Sequence, residues 1–165
     1  MQTSKQTIRA SLESLHTVAQ ALLESNNNIF LLSGVVGSGK TTLTQAFLEY
    51  YTSTKQSTQD STSPKSNPTN KSLITSQLET YPIIATSPTF NIMHDYGGIY
   101  HYDLYNRSIQ NVLELGLLEW LSTEGFHFIE WGESLLTMLH KCGFDCTLVR
   151  ISCENTTSRI YEIYC

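Results

Sequence analysis

Gly34-Val35-Val36-Gly37-Ser38-Gly39-Lys40-Thr41-Thr42 is the stretch that decides how the rest of this chain is read. It carries a glycine, four residues and then Gly-Lys-Thr, and it directly follows the apolar run Ile29-Phe30-Leu31-Leu32. A loop between a buried strand and a helix aims several backbone N–H groups and the positive end of a helix dipole at one point. Its glycines allow backbone angles that a β-carbon forbids and let the chain approach an anion closely. In this pattern Lys40 reaches the β- and γ-phosphates of a nucleoside triphosphate, the Thr41 hydroxyl holds Mg²⁺, and Gly34, Gly37, Ser38, Gly39 and Thr42 complete the cradle. A glycine turn followed by a chance Lys-Thr pair is the competing reading, and the strand before and helix after weigh against it.

Working outward, Leu43, Ala46, Phe47 and Tyr50 recur at helical spacing, which predicts a helix from Lys40 to about Tyr51. Upstream, Leu12, Leu15, Val18, Ala19, Leu22 and Leu23 predict an amphipathic helix before the first strand, ended by Asn26-Asn27-Asn28. Residues 52 to 80 differ in kind, being about half Ser and Thr with few strongly apolar residues. Such a segment buries too little surface to offset its backbone entropy and reads as a mobile surface insertion, with a short helix near Leu73 to Leu78.

Beyond it, Ile83-Ile84-Ala85 suggests a short strand, Thr86 to Thr89 a polar turn, and Phe90 to Tyr96 a second strand. Gly97-Gly98 signals a hairpin into a returning strand, Ile99 to Tyr105. Ile109, Val112, Leu113, Leu117, Trp120 and Leu121 predict one helix closed by Gly125, and Phe126 to Trp131 a strand ending on the carboxylate of Glu130. Ser134 is positioned to cap a helix carrying Leu135, Leu136 and Leu139. Two strands, Cys146 to Ile151 and Arg159 to Tyr164, complete the pattern. Helices and strands alternate around the glycine loop, so the expected class is α/β: a mainly parallel sheet of the P-loop NTPase kind with antiparallel hairpins at its edges, in a single domain spanning 1–165.

Composition narrows the function. The chain has 165 residues, with 15 Asp and Glu against 10 Lys and Arg, a formal charge of -5. That balance argues against broad adhesion to nucleic acid or an anionic membrane, so direct RNA binding is not expected by default. The cysteines Cys142, Cys146, Cys153 and Cys165 form no Cys-x-x-Cys pair, no apolar run approaches a membrane span, and no N-terminal signal is visible. Free thiols in the cytoplasm are the expectation.

Phosphoryl transfer also needs a second anchor for Mg²⁺ and a group that positions water. Glu130 at a strand's carboxyl end is the candidate anchor, with a solvated strand-end acid as the alternative. Asp103, in His101-Tyr102-Asp103-Leu104-Tyr105, is placed to orient water or act as general base, a turn-capping Asp being equally open. His101 beside tyrosines reads as packed or solvated, and Thr89 either senses the γ-phosphate or belongs to a plain Ser-Pro-Thr turn.

Gly37-Ser38-Gly39-Lys40-Thr41-Thr42, Ser87-Pro88-Thr89-Phe90, His101-Tyr102-Asp103-Leu104-Tyr105 and Ile129-Glu130-Trp131, in that order, resemble the motifs of the TsaE family of small bacterial ATPases. The resemblance implies ATP hydrolysis with Mg²⁺ in support of the TsaB–TsaD pair, which makes N6-threonylcarbamoyladenosine at position 37 of tRNA. By the same carry-over Thr41 and Glu130 hold Mg²⁺, Lys40 holds the phosphates, Asp103 is needed for hydrolysis and Thr89 serves a switch. Trp131, Ser14 and Arg159 lie near the nucleotide. Two departures stand out: Val35-Val36 where the family carries an acidic residue and Leu, and Asn106 inserted before Arg107. A small-molecule or nucleoside kinase and a nucleotide-gated assembly module with incidental hydrolysis remain the alternatives.

Overall fold

A computed structural model of the chain describes residues 4–59 and 92–165. Among the described residues the strands are β1 (Lys5–Ser11), β2 (Ile29–Ser33), β3 (Met93–Asp95), β4 (Ile99–Asp103), β5 (Phe126–Glu130), β6 (Cys146–Cys153) and β7 (Ser158–Tyr164). The helices are α1 (His16–Glu24), α2 (Lys40–Gln59), α3 (Ile109–Glu114), α4 (Leu117–Leu121) and α5 (Leu136–Lys141), the last preceded by a 3₁₀ turn, Gly132–Leu135. The strands form one sheet in the order β1-β7-β6-β2-β5-β4-β3. Its centre, β6-β2-β5-β4, is parallel, and both margins are antiparallel. This is the P-loop NTPase-like α/β arrangement expected from the alternation of elements.

β2 is buried along Ile29 to Leu32 because both faces of the sheet are covered there. Phe30 and Leu32 join one core with α1 and α2, while Ile29 and Leu31 join a second with α3 to α5. An aromatic cluster fastens α2 to the sheet: Phe47 lies 4.8 Å from Phe128 and 5.0 Å from Phe126, ring centre to ring centre. Each such pair adds about 0.5–1.5 kcal/mol beyond the area it buries.

The described chain departs from the sequence reading in several places. β1 precedes the first helix and was not expected, because only Ile8 and Ala10 turn toward the core in an edge strand otherwise facing water. α1 starts at His16 rather than Leu12, which is 76% exposed. α2 continues to Gln59, into the Ser/Thr-rich segment. There the hydroxyls of Thr52, Ser53 and Thr54 donate to the carbonyls of Leu48, Tyr50 and Tyr51, so these polar residues stay within the helix. Gly116, at φ 93°, splits the single helix expected after Ser108 into α3 and α4. Ser134 lies inside the 3₁₀ turn, and Leu135 occupies the cap position of α5 without a side-chain bond. The expected short helix near Leu73, the strand at Ile83 and the Ser87-Pro88-Thr89 turn lie outside the described residues.

The Gly97-Gly98 hairpin is present, with both glycines at positive φ and both their N–H groups donating to Asp95 Oδ1. The four cysteines carry free thiols, and burial pushes the Cys146 thiol up to about 12. Among the described residues no helix is long and apolar enough to cross a membrane.

Candidate functional site

β2 delivers the chain at Ser33 to the glycine loop, and α2 begins at Lys40. Gly34 is required by contact as well as by conformation. At φ 153°, a β-carbon there would stand 2.5 Å from the Ile151 carbonyl oxygen and 2.6 Å from Ser38 Oγ. The loop folds tightly over this point, burying Ser38 completely and leaving its hydroxyl without a partner among the described residues. Lys40 is only 4% exposed. Its ammonium donates to the Gly34 carbonyl at 2.9 Å and the Val35 carbonyl at 3.2 Å, and it lies 3.9 Å from the centre of the Trp131 ring. Burial lowers its pKa, against the opposing pull of Glu130 and Asp103. A desolvated cation held by carbonyls and an indole is a cation to which an anion can be added at little further desolvation cost.

Register brings the acids to the same edge. Leu32, Glu130 and Asp103 are neighbours across β2, β5 and β4, so both carboxylates stand at the carboxyl ends of parallel strands beside the loop. Glu130 is 4% exposed, and its Oε1 accepts from the Thr41 hydroxyl at 2.5 Å and contacts His101 Nε2 at 2.9 Å. The two residues singled out as metal ligands, 89 positions apart in the chain, are thus in direct contact. Asp103 Oδ1 accepts from the Tyr105 N–H at 2.9 Å, which turns the chain sharply after β4. Asn106 follows at φ 57°, a left-handed position that Asn tolerates, so the inserted residue is absorbed in the turn.

Trp131 leaves β5 in the left-handed region, at φ 64°. Holding a large residue there costs of order 1–3 kcal/mol. What it gains is position: the indole covers Lys40 and lies 5.1 Å from the Tyr105 ring. Two residues further on, Glu133 accepts hydrogen bonds from Ser33 Oγ and, at 2.5 Å, from Arg150 Nη2. These hold its carboxyl below the ordinary carboxylate range, the Ser33 bond contributing most. This tie between the Trp131 turn and the last residue of β2 was not anticipated, and neither was the His101 contact with Glu130. Both join residues remote in sequence, and only the strand order reveals them.

On the other side of the loop, Gly37, Ser38, Gly39 and Thr42 line a cavity of about 650 Å³ whose opposite walls include Leu12, Arg159 and Tyr161. Arg159 lines it while donating to the carbonyls of Asn155 and Ser158. Ser14 lies behind the wall, where its Oγ accepts from the Ser11 N–H at 2.9 Å and shapes the turn that carries Leu12. The expected site residues therefore divide into two groups: Gly34, Lys40, Thr41, Asp103, Glu130 and Trp131 along the strand ends, and Gly37, Ser38, Gly39, Thr42, Arg159 and, indirectly, Ser14 around the cavity. Thr89 lies outside the described residues.

Among the described residues no group of three or more His, Cys, Asp and Glu side chains is gathered to hold a metal ion. The Thr41 hydroxyl and Glu130 carboxylate are instead two hard oxygen donors at the loop, which suits Mg²⁺ held partly by the protein and partly by water and substrate phosphates.

Comparison with known proteins identifies the family and the fold. The family described as "Threonylcarbamoyl adenosine biosynthesis protein TsaE" matches residues 69–161, a span that begins after the glycine loop and so is independent of it. The chain is 32% identical over 143 residues to the tRNA threonylcarbamoyladenosine biosynthesis protein TsaE of Rickettsia bellii, covering 82% of this chain and 80% of that protein. It is 31% identical over 136 residues to the protein of the same name from Rickettsia conorii, covering 78% of this chain and 62% of that one. In fold it is similar to the solved structure described as "Crystal structure of Bacillus subtilus YdiB", with a TM-score of 0.56 and 18% identity, over 99% of this chain and 87% of that one. The chain belongs to the TsaE family of threonylcarbamoyladenosine biosynthesis proteins.

Proposed function

We propose that the protein is a Mg²⁺-dependent ATPase that hydrolyses ATP to ADP and phosphate in support of the TsaB–TsaD complex during threonylcarbamoyladenosine formation at tRNA position 37. The observation that carries this reading is the Thr41–Glu130 hydrogen bond, which joins the first turn of α2 to the end of β5 with Asp103 alongside in register. Family membership supplies the tRNA-modification context.

In this reading the loop N–H groups from Gly34 to Thr42 and the Lys40 ammonium bind the phosphates. Thr41 and Glu130 hold Mg²⁺, which when bound neutralises charge on the phosphate oxygens. Asp103 orients water at the γ-phosphate, Trp131 covers the Lys40 side, and Thr89 serves as the switch. The cavity beside Gly37 to Gly39 receives the nucleoside, with Arg159 in its wall and Ser14 shaping the turn opposite.

A reconstituted modification system with purified partners tests this. Lys40→Ala should abolish nucleotide binding or hydrolysis, and Asp103→Ala should retain binding while reducing turnover. Wild-type rates of modified tRNA formation with both variants would overturn the reading. A non-hydrolysable ATP analogue should arrest the system after one round. Sustained rounds with it would favour a nucleotide-gated assembly module instead, and phosphate transferred to a metabolite rather than to water would favour a kinase.

A further inference from the structure

Glu130 is held from two directions. Its Oε1 receives the Thr41 hydroxyl and meets His101 Nε2 at 2.9 Å, and no hydrogen bond from a described residue falls on Oε2. His101 is fully buried on β4, in register with Phe128, two residues before the Asp103–Glu130 pair and on the same face of the sheet. The other nitrogen of its ring, Nδ1, is buried and has no partner among the described residues.

This arrangement favours one of the two neutral tautomers. A neutral imidazole has one N–H and one lone pair. With the proton on Nδ1, a donor would be buried unpaired while the Nε2 lone pair faced a carboxylate oxygen, two unfavourable placements together. With the proton on Nε2, the ring donates to Oε1 and buries only a lone pair.

Packing alone does not call for a histidine here. Ile99, His101 and Asp103 lie along one face of β4, and Phe126, Phe128 and Glu130 along the same face of β5, beneath α2. An apolar residue would continue the Ile99–Phe128 core but leave Glu130 with Thr41 as its only donor among the described residues.

From these contacts we infer that His101 is the positioning residue for the metal-binding carboxylate: its Nε2–H fixes Oε1 and leaves Oε2 as the oxygen open to a divalent cation. The inference deepens the reading of Glu130 as a metal ligand and rests on it. Outer partners that orient a metal's ligands commonly change metal affinity by ~10–100-fold when removed.

The test compares wild type, His101→Phe and His101→Gln, the last placing an amide N–H where the imidazole Nε2 donates. Mn²⁺ affinity in the presence of ADP is measured by electron paramagnetic resonance, ADP affinity in EDTA by calorimetry, and the ring tautomer of ligand-free wild type by ¹⁵N–¹H correlation spectra. The expected results are ~10–100-fold weaker Mn²⁺ binding in His101→Phe, recovery to within about threefold in His101→Gln, metal-free ADP affinity unchanged in both, and a protonated Nε2. Phe and wild type binding Mn²⁺ alike, or an Nε2 that carries no proton, would overturn the inference while leaving the proposed function standing. A wild type that binds neither ADP nor Mn²⁺ would overturn both. Equal loss of metal-free ADP binding in the two variants would mark His101 as a packing residue and also refute the inference.

Discussion

On the Lys40 side of the glycine loop, side chains from β4, β5 and α2 meet in defined pairs. On the Gly37–Thr42 side, the cavity is walled largely by turns: the residues after β1, the loop itself and the residues leading into β7. The first side is buried, with Lys40 and Glu130 each 4% exposed and His101 fully covered. The second carries exposed residues such as Leu12 and Thr42. The contrast teaches that the strand-end side is specified by chemistry, residue against residue, whereas the cavity side is specified by how the margins of the sheet bring loops together. Substitutions at the two ends should therefore fail in different ways.

Among changes that leave every side chain of the site in place, the largest effect is expected at Gly34, the point both sides share. Gly34→Ala drives a methyl into the Ile151 carbonyl and Ser38 Oγ, and backbone on one side of that contact cannot yield cheaply. ADP affinity should fall by roughly 100-fold or more, about 2.7 kcal/mol, with a lower melting temperature. Calorimetric titration together with thermal melts checks this, and a variant that binds ADP as wild type does would remove the close-packed loop from the explanation.

Next comes a separation of the two sides. Arg159→Ala should weaken ADP by about tenfold, ~1.4 kcal/mol, while leaving pyrophosphate affinity within about twofold. Lys40→Ala should weaken both ligands together. Competition binding with ADP and pyrophosphate measures the difference. Equal loss of the two ligands in Arg159→Ala would place that residue at the phosphates and dissolve the contrast.

Those two sides were also unequally legible in the sequence. Lys40, Thr41 and the glycines announce themselves because the motif is local and follows an apolar run, and Glu130 because it ends one. The parallel centre follows from the same alternation of elements. β1 was invisible, since an edge strand needs only Ile8 and Ala10 to face inward. With β1 missed, the turn that walls the cavity could not be placed, nor could the part played by Ser14. His101 read as a packed residue, which it is, but its contact with Glu130 depends on β4 lying beside β5, a pairing of segments 29 positions apart. Residues 52–59 read as unstructured by composition. Backbone carbonyls within reach of Thr52, Ser53 and Thr54 hydroxyls let α2 continue through them.

A smaller effect, on stability alone, is expected far from the loop. The Tyr102 hydroxyl pairs with His127 Nδ1 at 2.9 Å, and His127 Nε2 pairs with the Thr123 carbonyl at 2.9 Å. Burial holds the His127 pKa below its ordinary 6.5. Below that value the unfolded chain takes up a proton that the folded chain resists, so stability is full above about pH 6.5 and declines as the pH falls beneath it. Urea midpoints between pH 8 and pH 5 should show the decline, and His127→Gln should flatten it while ADP affinity at pH 7.5 stays unchanged. A decline identical in the variant would assign it to other groups.

The smallest effect belongs to Glu133, which joins the Trp131 turn to Ser33 and Arg150 at the surface. Its carboxyl is held below the ordinary 4.5 by those bonds, the Ser33 hydroxyl first. Here the ionised form is the one favoured by folding, so the contribution is complete above about pH 4.5 and disappears as the pH falls through the lower, folded-state value. Glu133→Gln should therefore be slightly less stable than wild type at pH 7, with the gap closing in acid and narrowing in high salt, since Arg150 is half exposed and its ion pair is screened. Denaturation series at pH 7 and pH 3.5, each at low and high salt, measure the gap. Because Glu133 anchors the turn that sets Trp131 over Lys40, the same variant should also weaken ADP modestly. If stability changes as described but ADP affinity does not, Glu133 braces the sheet edge without steering the indole, and the Lys40 side depends on its own pairs alone.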